Sequence, residues 1–114
     1  MHELSLVANL FELLEQKAKE EKIKRITLVR LRCGAFSGVV PECFQSAFDI
    51  YKKETLASEA ELILDIVQVK FQCRHCGQEA SQDDLPLLCP RCGSADVTIL
   101  DGTELTLVSL EAEV

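Results

Sequence analysis

Two copies of the pattern C-x-x-C-G, Cys73-Arg74-His75-Cys76-Gly77 and Cys89-Pro90-Arg91-Cys92-Gly93, stand twelve residues apart and constrain this chain more than any other feature. A two-residue gap lets both sulfurs of a knuckle face one ion. The glycine that follows accepts backbone angles that turn amide N–H groups toward the thiolates. Two such knuckles make a tetrahedral four-sulfur site. Between them, Gln78 to Leu88 offers only Ala80, Leu85, Leu87 and Leu88 as core material. That is too little to fold the segment unaided, so metal binding is expected to supply the folding energy. With thiolates at all four positions no place is left for water or substrate, which makes the ion, expected to be zinc, structural rather than hydrolytic.

Two other readings use the same cysteines. A thioredoxin-type redox pair needs one exposed, low-pKa thiol beside a helix N-terminus, whereas two matched knuckles imply shared coordination. An iron–sulfur centre of the rubredoxin kind would make the chain an electron carrier, but rubredoxins resemble it only across the knuckles. His75 is expected at the surface of its knuckle and not as a ligand. Cys33 and Cys43 are expected to be small buried hydrophobes.

The charge balance narrows the function. A formal net charge of -7 argues against nucleic acid, which is held mainly by clustered lysine and arginine on phosphate. It fits protein and metal partners better. No apolar run approaches the ~18 residues of a membrane span, and no basic-then-apolar leader opens the chain. The protein is expected to be cytoplasmic, where thiols stay reduced and paired cysteines serve metals.

Around the knuckles the sequence reads as a small α/β body. Val7, Leu10, Phe11, Leu14 and Ala18 fall at helical spacing and predict an amphipathic helix over about residues 4–20. Arg25 to Cys33, rich in β-branched and aliphatic residues and stopped by Gly34, reads as a strand. A loop from Gly34 leads to Pro41, which opens a second helix to about Lys53 carried by Phe44, Ala47, Phe48 and Tyr51. From Glu61 the period becomes two, with Leu62, Leu64 and Ile66 on one face and Val67, Val69 and Phe71 after a change of parity. This predicts one long strand with a bulge. Val97 to Leu100 and Leu105 to Leu110 are strand-like again. The expected fold is α+β: a small three-stranded sheet covered by two helices, with an inserted zinc-ribbon-like module. Residues 1–70 and 100–114 would form the body and 71–99 the insertion.

The opening Met1-His2-Glu3 holds three kinds of ligand within one short segment. A bulky second residue should preserve Met1, leaving its amine a fixed distance from an imidazole. The amine, the deprotonated His2 amide and the His2 imidazole can form adjacent chelate rings. Nitrogen donors in a plane suit Ni(II) or Cu(II), with Glu3 or a partner's group completing the site.

Met1-His2-Glu3, the loop Gly34-Ala35-Phe36-Ser37-Gly38-Val39 before a helix, the segment Glu59-Ala60-Glu61-Leu62 and the paired knuckles together resemble the HypA/HybF family of hydrogenase nickel-insertion proteins. The resemblance spans essentially the whole chain. It implies a nickel metallochaperone that is not an enzyme, working with a HypB-type GTPase to load Ni(II) into the large-subunit precursor of [NiFe]-hydrogenase. Some relatives also serve urease. By position, His2 would bind nickel, Met1 would donate its amine, Glu3 would support the site, and Cys73, Cys76, Cys89 and Cys92 would hold zinc. Association into a weak homodimer stays open. Only His75 stands in the zinc loop, so a loop histidine assisting nickel is not expected here. A zinc-ribbon adaptor that merely binds proteins is the remaining alternative, and it implies no nickel affinity.

Overall fold

A computed structural model of the chain describes residues 3–114. The elements run α1 (Glu3–Glu21), β1 (Arg25–Gly34), α2 (Pro41–Tyr51), β2 (Glu61–Val67), β3 (Val69–Cys73), β4 (Glu79–Gln82), β5 (Val97–Asp101) and β6 (Leu105–Glu113). They build a mixed α+β fold with two sheets of three strands, ordered β2-β1-β6 and β4-β3-β5. Both helices lie on one face of the first sheet.

Local chemistry explains how that layer closes. Helix α1 buries Val7, Leu10, Phe11, Leu14 and Ala18, the stripe its spacing predicts. It ends where Lys22 takes a left-handed φ of 56° and the Ile23 amide donates to the Ala18 carbonyl at 2.9 Å. This six-to-one bond caps the helix and folds Ile23 back onto the core. Strand β1 pairs parallel with β2 and antiparallel with β6. The β1–β6 register slips between Ile26 and Leu28, which is why Ile26 and then Val29, Leu31 and Cys33 can all be buried. A second slip beside Val108 keeps Leu105, Leu107, Leu110 and Ala112 against the same core. Phe11, Phe44 and Phe48 fill its centre.

The expected single long strand is two strands in two sheets. Leu62 and Leu64 belong to the first sheet, the chain crosses at Gln68, and Val69, Phe71 and Cys73 are buried in the second. A change of parity is produced equally by a bulge and by such a crossover. Likewise β5 joins β3 while β6 returns to β1, so the two late strands serve different sheets.

The crossing is tight. A Cβ on Gly34 would stand 2.3 Å from the Gly102 carbonyl oxygen, and one on Gly102 would stand 2.6 Å from the Val69 Cα. The Phe36 amide donates to the Gly102 carbonyl at 2.9 Å and the Ala35 amide to the Val67 carbonyl at 2.8 Å. Arg32 forks onto Asp101 at 2.7 and 3.3 Å. That contact, with the Gly102 N–H, holds the Asp101 carboxyl below the usual carboxylate range. Gly102→Ala adds a backbone clash to a residue at φ 96°. It is expected to cost about 3 kcal/mol in urea unfolding, against a near-neutral result if the junction yields.

Candidate metal centre

Strand β3 carries Cys73 to the tip of the second sheet, and the chain then turns through two near-identical knuckles. In the first, the Gly77 amide donates to the Cys73 carbonyl at 3.0 Å; in the second, the Gly93 amide donates to the Cys89 carbonyl at 2.8 Å. Gly77 and Gly93 sit at φ 77° and 76°. Nothing lies within 4 Å of a Cβ built on either, so the demand for glycine is conformational rather than steric.

These turns bring the sulfurs of Cys73, Cys76, Cys89 and Cys92 within 4.8 Å of one another. Across the knuckles, Cys73 Sγ lies 3.5 Å from Cys92 Sγ and Cys76 Sγ lies 3.5 Å from Cys89 Sγ. Four thiolates at ~2.3 Å around a tetrahedral zinc stand about 3.8 Å apart, so the cluster has the dimensions of such a site. Cys73 and Cys89 are buried, whereas Cys76 and Cys92 face outward.

The protons follow the amides. The Cys76 N–H, with that of His75, lowers the Cys73 thiol. The Cys92 N–H, with that of Arg91, brings Cys89 down to about 6. Against the pull of the Gln78 amide, the neighbouring Cys89 thiol and burial raise Cys76. Against that of Ser94, the Cys73 thiol and burial push Cys92 up to about 11. Within each knuckle the first thiol is thus the easier to ionise and the second the harder, and a cation must displace the protons that remain. Metal affinity should fall with acidification by about tenfold per pH unit for each proton displaced. Competition with a chromophoric chelator between about pH 8 and pH 6 checks this, and a flat response would speak against thiolate binding.

The unit around the cage has little else to hold it. Its buried hydrophobic side chains are Val69, Phe71, Cys73 and Cys89. Valine and phenylalanine supply roughly 2–3 kcal/mol each, while ordering the backbone costs ~1–2 kcal/mol per residue.

Other candidates separate clearly. His75 is exposed, with Nε2 3.7 Å from an Asp96 carboxylate oxygen, and is outside the sulfur cluster. Cys33 is buried beside Ser37. Cys43, expected inside, is exposed on α2 and lines a shallow groove with Leu4, Ala47 and Ile50. The α2 periodicity rests on Phe44 and Phe48, and Cys43 lies off that stripe. Sequence reasoning missed Asp96, whose carbonyl accepts the Arg74 amide at 3.0 Å and whose carboxylate faces Arg74 at 3.5 Å. No motif marks it. Glu3 opens α1, while Met1 and His2 lie outside the described residues.

Comparison with known proteins agrees over the full length. A model of the family described as "Hydrogenase/urease nickel incorporation, metallochaperone, hypA" matches residues 1–112. The hydrogenase maturation factor HypA of Aquifex aeolicus is 42% identical over 114 residues, covering 100% of this chain and 99% of that one. HypA of Moorella thermoacetica is 41% identical over 113 residues, covering 99% and 100%. The solution structure of the Ni metallochaperone HypA from Helicobacter pylori matches with a TM-score of 0.70 at 32% identity, covering 98% of this chain and 97% of that one. With its whole length, its α+β fold and its four-cysteine cluster all in agreement, the chain belongs to the HypA family of nickel metallochaperones for hydrogenase maturation.

Proposed function

We propose that the protein carries Ni(II) at its first residues and delivers it for [NiFe]-hydrogenase assembly, while a zinc ion on Cys73, Cys76, Cys89 and Cys92 stays in place. The observation that carries this reading is the match of residues 1–112 to a nickel-incorporation family. A cage with four thiolates has no open position, so it suits retention rather than exchange. The cargo then needs another site. The Met1 amine and the His2 amide and imidazole offer nitrogen donors suited to Ni(II), with Glu3 beside them at the first turn of α1.

In this reading residues 1–70 with 100–114 form the nickel-binding unit and 71–99 the zinc-binding unit, to within the strand ends of the second sheet, which reaches out to Val69 and Asp101. Nickel is cargo, passed by ligand exchange and not chemically changed. A HypB-type GTPase and the hydrogenase large-subunit precursor are the partners, in the cytoplasm, and urease is a second client of the same chemistry. No described helix is long and apolar enough to cross a membrane. The test is complementation. In a host lacking its own nickel-insertion protein, the chain is expected to restore hydrogenase activity and His2→Ala to fail. Equal restoration by both would remove the proposed site.

A further inference from the structure

Strand β6 borders the first sheet, pairing with β1 on one side only. It runs nine residues, Leu105–Glu113, and although it carries a bulge at Val108 and the acidic Glu111 and Glu113, it has no lysine or proline to guard the edge. Helix α2 packs against β2, and on the β6 side α1 leaves a groove of about 230 Å³ lined by Leu6, Leu10, Leu13, Leu31, Leu105 and Leu107. The opposite face of the strand is exposed through Thr106, Ser109 and Glu111, with Glu104 just ahead of it. Arg30 and Arg32, the nearby cations of β1, are committed to Asp65 and Asp101. Arg25 engages Glu113. The charge of Glu104 and Glu111 is thus left on an open edge.

We propose that β6 is the docking edge for an extended segment of another protein in which apolar and basic residues alternate, added to the sheet as a fourth strand. Each feature fixes one property of the occupant. The unpaired main chain of β6 demands an extended partner, which supplies backbone hydrogen bonds whatever its sequence. The period of two then sends alternate side chains to opposite faces. Those on the helix side enter the groove beside Leu6, Leu10 and Leu13 and should be aliphatic. Those on the other side meet Glu104 and Glu111 and should be lysine or arginine, since opposite charges across strands stabilise pairing. A second copy of this chain fits worse, because it would lay one acidic strand against another in a protein of net charge -7.

The probe is a synthetic peptide of about eight residues alternating lysine and valine, long enough to span β6. It is added to the full-length metal-loaded protein while amide exchange is followed by NMR. The expected result is slowed exchange in β6 and shifts in α1 around Leu10 and Leu13. The double variant Glu104→Lys, Glu111→Lys should weaken binding about tenfold. Leu13→Lys, on the exposed rim of the groove and checked for an unchanged circular dichroism spectrum, should weaken it as well. A shuffled peptide of the same composition and a glutamate–valine analogue should not bind. Overturning results are equal binding of the shuffled peptide, a footprint away from β6, no binding, or self-association through β6 in the absence of peptide.

Discussion

Removing the metal from the four-thiol cage, with a strong chelator or by Cys73→Ala, is expected to unfold the β3–β5 sheet and both knuckles while the two-helix body survives. The asymmetry follows from what each part buries. The body packs Phe11, Leu14, Ile26, Val29, Phe44 and Phe48 at an exposure of 1% or less. The other sheet has Val69 and Phe71, and beyond them only Cys73 and Cys89 of the sulfur cluster. Apparent binding energies of structural zinc, ~10–16 kcal/mol, exceed anything two apolar side chains can contribute. The body tolerates the loss because its own strands need no help from the insertion: β1 pairs with β2 and β6 directly. A loose loop of this length between β2 and β6 adds only a modest closure entropy. Limited proteolysis should cut between Cys73 and Val97 and leave α1, α2 and β1 protected. Equal protection with and without metal would contradict a structural ion.

The second large effect lies at the other end of the chain. His2→Ala, or extra residues placed before Met1, should abolish stoichiometric Ni(II) binding and leave the zinc and the fold unchanged. Both changes strike the chelate rings proposed for nickel: the first removes the imidazole, and the second converts the terminal amine into an amide, which holds its proton far more tightly. Because each nitrogen donor must lose a proton, nickel should also leave as the pH falls. Glu3→Gln is a milder change, expected to weaken binding without eliminating it. Calorimetry on the four proteins separates these outcomes, and undiminished nickel binding by the extended protein would exclude the terminal amine.

Much of the architecture could be read from residues alone because two periodicities are strong here. The stripe Val7, Leu10, Phe11, Leu14, Ala18 is the buried face of α1, and Gly34, foreseen as the stop of β1, is its last residue. The four cysteines meet as their spacing requires. What stayed hidden depends on distant contacts. Strand β4, Glu79–Gln82, contains no β-branched or aromatic residue and forms only because β3 lies beside it. The division of residues 61–73 between two sheets is set at the Gly34–Gly102 contact, between positions far apart in sequence. Cys43 is apolar by composition but exposed by helical phase, and the groove beside β6 exists only once α1 has docked.

The most direct measurement is metal content and nickel titration on one preparation that begins at its own Met1. Two ions with different behaviour are expected: a colourless zinc that survives dialysis, and an exchangeable nickel that fills the N-terminal site and passes to a competing chelator. Failure to take up nickel there, or a red iron-containing protein in place of zinc, would contradict the account.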